Sequence, residues 1–213
     1  MCSKIKEVFG LKLIAVTDGK KEEDKLVPKI LLISPYVDGV ILREKQKALP
    51  DYLSLVNRLI ECGLPKEKLY VHRHYSLVKD TGIRNLHLPE KGYSLREVRR
   101  TFPHITLGVS VHSLESAHQV EKDGADYVIF GHIYSTNSKK GVAPRGLELL
   151  QKMTSSLSIP VLAIGGIHSH HMKEVAKAGA TGVAVMSGVF GEKNPLQAVK
   201  KYKKEALVYD RSR

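Results

Sequence analysis

Short apolar runs recur along the chain and alternate with amphipathic stretches. Eight of these runs are rich in Val, Ile and Leu, and most are continuously apolar instead of strictly alternating. Continuous apolar runs of this length are typical of strands that are buried on both faces, as in a parallel sheet. The predicted strands cover residues 11–17, 37–42, 68–72, 84–88, 105–111, 126–131, 160–165 and 182–187.

Helix-like segments separate the strands, and five of them are well defined, at residues 21–33, 50–62, 94–102, 114–124 and 170–179. Ser94 and Glu97 have the spacing of a capping box, and Gly124 and Gly179 stand where glycines commonly end helices. Eight strands alternating with about eight helices predict one (β/α)8 TIM barrel over residues 1–213. A flavodoxin-like open sheet is the alternative, although eight strands is a high number for it. The last residues, from about 206, are expected to be a frayed tail.

Two glycine-bearing turns follow the last two predicted strands. Gly165 and Gly166 come after strand 7, and Ser187 and Gly188 come after strand 8. In TIM barrels the loops after strands 7 and 8 commonly hold a phosphate group, because glycine lets the main chain approach a ligand and main-chain amides donate to its oxygens. The turns therefore predict a phosphate site. The alternative is that the glycines only make tight turns.

His132 directly follows strand 6 and should project into the mouth of the barrel. A histidine there can take up and return a proton near neutral pH, which makes it the candidate catalytic residue. The alternatives are a core histidine bonded to the main chain, or one that only binds the ligand.

Other polar residues at the same end of the predicted barrel are candidates for substrate binding. Arg43 and Lys45 follow strand 2, Ser110 lies near the end of strand 5, and Lys139 lies in the loop 135–141, which is long enough to cover the site. A cation after strand 2 can meet a carboxylate or phosphate of the ligand. The alternative for the Arg-Glu-Lys turn is a solvated segment with local charge pairing.

The 213-residue chain has a formal net charge of +12, which is compatible with a phosphorylated ligand. The basic residues are scattered without interleaved aromatic residues, so we expect no nucleic-acid partner. No stretch approaches the roughly 20 apolar residues of a membrane helix, and no secretory segment is evident, so we expect a cytoplasmic protein with no membrane partner. Cys2 and Cys62 lack metal-type spacing. Most of the ten histidines are expected at the surface, and we expect no metal site and no cofactor.

Several segments together resemble the thiamine phosphate synthase superfamily, over about residues 13–202. They are LREK (42–45), SVHSLESA (110–117), GADYVIFGHIYSTNSKKG (124–141), RGLELL (145–150), SIPVLAIGGI (158–167) and AGATGVAVMSGVF (178–190). The Phe-Gly-His motif that ends at His132 is similar to the TenI branch. That resemblance implies a thiazole tautomerase, an isomerase of thiamine biosynthesis in which His132 is the acid/base catalyst.

The chain departs from the synthase branch of the superfamily at three places. Synthases have a glutamine where this chain has Ile41, an Asn-Asp pair where it has His72 and Arg73, and a later magnesium-binding Asp near Gly92. The loss of two carboxylates removes the oxygen ligands that magnesium prefers. Arg43, Lys45 and Lys139 do match cations of the synthase pattern.

Three functions remain open at this point. The first is the tautomerase, whose substrate would be the exocyclic-alkene tautomer of 2-carboxy-4-methylthiazole ethyl phosphate. The second is a thiamine phosphate synthase, a transferase. The third is a non-catalytic protein that binds the thiazole phosphate. The resemblance also implies a homodimer.

Overall fold

The computed structural model of the protein describes residues 10–210, with side chains described for residues 10–206. Eight parallel strands form a closed barrel in which each strand pairs with the next along the chain and the last pairs with the first. The predicted (β/α)8 TIM barrel is therefore confirmed. The strands are β1 (Lys12–Val16), β2 (Gly39–Leu42), β3 (Leu69–His72), β4 (Asn85–Leu88), β5 (Thr106–Val111), β6 (Tyr127–Gly131), β7 (Val161–Ile164) and β8 (Gly182–Val185).

Helices follow the strands and cover the outside of the barrel. They are α1 (Glu23–Ile33), α2 (Leu49–Glu61), α3 (Leu77–Thr81), α4 (Leu95–Thr101), α5 (Leu114–Lys122), α6 (Gly146–Ser156), α7 (Met172–Lys177), α8 (Ser187–Phe190) and α9 (Pro195–Asp210). The Ser94 hydroxyl accepts a hydrogen bond from the Glu97 N–H at the start of α4. Gly124 and Gly179 have φ angles of 97° and 86°, as expected of glycines that end helices.

The expected frayed tail begins inside α9. Tyr202 and Ala206 are buried against the barrel, and the main chain is helical as far as Asp210. The main chain of the predicted tail is therefore helical as far as Asp210. Residues 211–213 lie outside the described residues.

The barrel has a separate inner core. Side chains of alternate strand residues point inward and form a small apolar cluster of Ile14, Val16, Ile41, Tyr127, Ile129, Leu162 and Ala184. The much larger outer core lies between the strands and the helices. Because one face of each strand packs in the inner core and the other in the outer core, the strand sequences are continuously apolar.

Two glycines make room for two tyrosines inside the barrel. A Cβ at Gly39 would lie 2.5 Å from the Tyr70 ring, and a Cβ at Gly108 would lie 1.9 Å from the Tyr127 ring. The two tyrosine rings meet edge to face with centroids 6.2 Å apart. Both glycines are therefore needed for their small size, Gly39 at the start of β2 and Gly108 inside β5, where glycine is otherwise unfavourable.

Replacing Gly108 by Ala is expected to destabilise the protein by about 3 kcal/mol, because the new methyl group overlaps the Tyr127 ring in a packed interior. Urea unfolding of the two proteins measures this difference. Gly141→Ala is the matched control, since a Cβ there meets nothing within 4 Å and only its φ of 77° is unfavourable, at a cost of about 1 kcal/mol. Equal losses in both variants would contradict the packing explanation.

Candidate functional site

A cavity of about 1230 Å³ opens at the carboxyl ends of the strands. It is formed by the loops that follow the strands, where TIM barrels bind their ligands. All nine residues that the sequence singled out as candidates line this one cavity. They are Arg43, Lys45, Ser110, His132, Lys139, Gly165, Gly166, Ser187 and Gly188.

The two glycine-bearing turns present main-chain N–H groups. Among the described residues, the N–H groups of Gly166, Ile167, Ser187 and Gly188 donate to no other main-chain group. Gly165 and Gly166 have φ angles of 98° and 67°, a conformation that favours glycine. Such unpaired N–H groups on neighbouring loops can donate to the oxygens of a phosphate.

Close packing is a second reason why these turns require glycine, and the sequence did not reveal it. A Cβ at Gly166 would lie 2.5 Å from the carbonyl oxygens of Tyr134 and Ser135, and one at Gly188 would lie 2.4 Å from the Tyr202 hydroxyl. That hydroxyl donates to the Ile167 carbonyl at 2.8 Å. The turns are thus packed tightly against the loop after β6 and against α9.

His132 is 6 % exposed and lies beside the first glycine turn. A Cβ at Gly165 would lie only 2.2 Å from the His132 Cβ. The His132 Nε2 lies 3.2 Å from the Val142 carbonyl oxygen. Because a carbonyl oxygen only accepts, this contact assigns the ring hydrogen to Nε2 and leaves Nδ1 as the nitrogen that can take up a proton.

Four cations cluster on the side of the cavity formed by β2, β3 and the loop after β6. They are Arg43, Lys45, Lys139 and Arg73, and the last of these was not among the predicted site residues. The pKa of Lys45 is lowered, first by the charge of Arg43, then by partial burial and by the charges of Arg73 and Lys139. Burial is also the main cause of the lowered pKa of Arg43. The mutual repulsion of these cations favours a bound anion.

The turn after β2 is built into the barrel. The Thr17 hydroxyl, at the end of β1, accepts a hydrogen bond from the Arg43 N–H at 2.8 Å. Glu44 is 3 % exposed, and its Oε1 makes no hydrogen bond to any residue within the described part of the chain. The alternative of a solvated Arg-Glu-Lys turn is therefore wrong for Glu44, which points into the protein, whereas Arg43 is partly buried and Lys45 is exposed at the cavity.

Seven of the ten histidines are exposed or partly exposed, as expected, and three are buried. Four are exposed, namely His104, His118, His168 and His170. His72, His87 and His132 are buried, and His74, His112 and His171 are partly buried. His72 and His87 are buried because their side chains point into the barrel. The sequences of β3 and β4 do not show which residues point inward.

His72 and His87 form a polar layer that was not predicted from the sequence, in which His72 lines the floor of the cavity and His87 lies beneath it. The His87 ring contacts the Tyr127 hydroxyl at 3.1 Å through Nδ1 and the Ser110 hydroxyl at 2.9 Å through Nε2. The His72 ring stacks on it with centroids 6.2 Å apart. Burial lowers the pKa of His87 to about 3. Burial, and then the charges of His87, Arg43, Arg73 and Lys45, lower the pKa of His72 to about 2.

A family model described as thiamine monophosphate synthase (TMP-TENI) matches residues 13–189. The chain belongs to this family. The match begins in β1 and ends in α8, so it includes every strand of the barrel and all of the loops that line the cavity.

Relatives in this family carry the name of the synthase. The chain is 32 % identical over 178 residues to a putative thiamine-phosphate synthase 2 of Aquifex aeolicus, with 83 % of this chain and 96 % of the relative covered. It is 31 % identical over 199 residues to a thiamine-phosphate synthase of Caldicellulosiruptor saccharolyticus, with 91 % and 88 % covered. A solved structure of thiamine phosphate pyrophosphorylase from Pyrococcus furiosus is 28 % identical, with a TM-score of 0.80 and 93 % and 96 % covered. These names favour the transferase, the second function considered above.

Within residues 10–210, no helix is both long and apolar enough to cross a membrane. The expected cytoplasmic location and the homodimer implied by the resemblance stay predictions.

Proposed function

We propose that this member of the thiamine monophosphate synthase family is a thiazole tautomerase that acts on a carboxylated thiazole phosphate. The observation that carries the proposal is the position of His132, which lies in the cavity in direct contact with the proposed phosphate-binding turn at Gly165. A substrate whose phosphate is held by this turn and by Ser187 and Gly188 has its ring near an imidazole whose Nδ1 can accept a proton.

The reaction needs one proton carrier. His132 takes the proton from ring carbon C2 of the exocyclic-alkene tautomer and returns it to the exocyclic carbon. The electron pair of the broken C–H bond becomes part of the aromatic ring, and no atom is gained or lost. Aromatisation supplies the driving force, so no cofactor or metal is required by the chemistry.

The cation cluster supplies a site for the substrate carboxylate. Seven Lys and Arg side chains line the cavity, against one carboxylate, that of Glu90. Arg43 and Arg73 are the partly buried members of the four-residue cluster, and Lys45 and Lys139 are exposed. An arginine can bind a carboxylate through two parallel hydrogen bonds, and partial burial strengthens such a contact.

Replacing Arg43 by Gln is expected to lower kcat/KM about tenfold or more, because the charge-assisted hydrogen bond is made to the carboxylate on C2, the carbon that loses its proton, and its loss weakens both substrate binding and the transition state. Steady-state kinetics of tautomer conversion measures this. Lys152→Gln, on the exposed surface of α6, is the control for a general effect of net charge. A kcat/KM within a few-fold of the wild type would show that Arg43 does not bind the substrate carboxylate.

The transferase is the second candidate, and the names of the relatives favour it. The donor set of this cavity does not fit its magnesium ion. Glu90 is the one carboxylate that lines the cavity among the described residues, and both of its oxygens are engaged by His112, at 3.0 Å from the main-chain N–H and 2.8 Å from Nδ1. Arg73 stands at the position where synthases have an aspartate. A cation there repels a metal ion that a carboxylate would bind.

The test supplies the purified protein with the exocyclic tautomer in the presence of EDTA and follows the aromatic product. A parallel reaction contains magnesium, the aromatic thiazole phosphate and a pyrimidine pyrophosphate. Rapid aromatisation without metal, and no coupling in the parallel reaction, is expected. Magnesium-dependent coupling would establish the transferase instead. Tight binding of the aromatic product without turnover in either reaction would leave a binding protein.

A further inference from the structure

A chain of three hydroxyl and imidazole groups runs from the inside of the barrel to the cavity. The Tyr127 hydroxyl lies 3.1 Å from His87 Nδ1, and His87 Nε2 lies 2.9 Å from the Ser110 hydroxyl. His87 and Tyr127 are 2 % and 7 % exposed and do not line the cavity, whereas Ser110 does. This hydrogen-bond chain therefore has one closed end inside the barrel and one end that a ligand can reach.

The hydrogens of this chain can be assigned by counting donors and acceptors. His87 is neutral at physiological pH, because burial lowers its pKa to about 3, so its ring carries a single N–H. The Tyr127 phenol has one hydrogen, and within the described residues its one hydrogen-bond partner is His87 Nδ1. If Nδ1 carried the ring hydrogen, the phenol hydrogen would be buried without an acceptor, which is costly.

The favourable arrangement has a single direction. The Tyr127 hydroxyl donates to Nδ1, and the Nε2–H of His87 donates to the Ser110 oxygen. The Ser110 oxygen then accepts a hydrogen bond from His87, and the Ser110 hydroxyl hydrogen is free to point away from His87. A serine in this state can give a hydrogen bond to a ligand that lies in the cavity.

We propose that Tyr127 and His87 are positioning residues that make Ser110 a hydrogen-bond donor to an acceptor atom of the ligand. Ser110 therefore offers its hydrogen to a ligand that places an oxygen or nitrogen lone pair at this point. This inference names a specificity element for the proposed function and rests on it for the identity of the ligand. The direction of the chain itself does not depend on that identity.

Nitrogen NMR of the imidazole rings tests the direction first. In the wild-type protein without ligand, His87 is expected to show a protonated Nε2 and an unprotonated Nδ1. The Tyr127→Phe variant, which keeps the ring and removes the hydroxyl, is expected to lose this single preference and show both tautomers. A protonated Nδ1 in the wild-type protein would overturn the inference, whatever reaction the protein catalyses.

Ligand affinity tests the consequence, with the aromatic carboxythiazole phosphate as the probe in calorimetric titrations. Ser110→Ala is expected to weaken binding about tenfold, and Tyr127→Phe by a smaller factor. The double variant is expected to bind no more weakly than Ser110→Ala alone, because both changes remove the same hydrogen bond. Losses that multiply in the double variant would show that Tyr127 acts independently of Ser110 and would overturn the proposal.

A second pair of variants covers the case in which Tyr127→Phe does not fold. The terminal amide of His87→Gln can still donate to Ser110, whereas His87→Met cannot. We expect His87→Gln to bind the probe within about threefold of the wild type and His87→Met to bind about tenfold more weakly. Equal affinities of the two variants would overturn the proposal. A wild-type protein that shows the expected His87 tautomer but no tautomerase activity would contradict the proposed function and leave the direction of the chain intact.

Discussion

Replacing His132 by Ala is expected to lower kcat for tautomer conversion by about 10²–10⁴-fold, which is the usual contribution of a general acid–base group. The imidazole is the one proton carrier that the proposed reaction uses, and it lies against the phosphate-binding turn at Gly165. Because the phosphate and cation sites remain, KM should change little. Stopped-flow detection of the aromatic product, with the mutant at high enzyme concentration, measures the loss.

Two controls separate catalysis from packing. His104→Ala removes an exposed histidine that does not line the cavity and is expected to have wild-type kinetics. His132→Gln keeps a side chain of similar reach that can donate to the Val142 carbonyl in place of Nε2. It should retain product affinity but remain slow. A kcat for His132→Gln within a few-fold of the wild type would mean that His132 only shapes the pocket.

Lowering the pH from 7 to 5 is expected to reduce the free energy of unfolding by roughly 3–4 kcal/mol through His72 and His87 alone. Burial lowers their pKa values to about 2 and about 3 in the folded protein, from an unfolded value of about 6.5. Between these values the unfolded chain binds protons that the folded chain does not, so stability falls as the pH falls below about 6.5. Above about pH 8 both histidines are neutral in either state and make no contribution to the pH dependence.

Urea unfolding at pH 7, 6 and 5 measures this effect, and variants assign it to residues. Since one titrating group is removed, His87→Gln should lose roughly 2 kcal/mol less than the wild type between pH 7 and pH 5. His104→Gln is the control, since His104 is exposed and lies in neither buried site, and it should follow the wild-type curve. The same pH dependence in all three proteins would show that His87 is not responsible.

The sequence by itself determined the barrel and its functional end. Eight apolar runs predicted eight strands because each strand of a closed parallel barrel is buried on both faces, so its residues need not alternate. The end of the barrel followed from topology, since the carboxyl ends of parallel strands all meet at one face. That is why residues as distant in sequence as Arg43, His132 and Ser187 could be expected around one cavity.

The tertiary structure alone decided what lies inside and between these elements. Continuous apolar strands do not reveal which residues face inward, so the chain from Tyr127 through His87 to Ser110 had no signal in the sequence. The space for Tyr127 is left by Gly108, which belongs to a neighbouring strand. Glu44, between two cations, had every local feature of a solvated residue and is nevertheless buried.

The difference has a physical reason. Periodicity and turn chemistry act over a few residues and are written in the local sequence. Burial of a polar group, the pKa of a histidine and the direction of a hydrogen-bond chain depend on neighbours that the closed barrel brings together from distant segments, and those neighbours are decided only when the fold is complete.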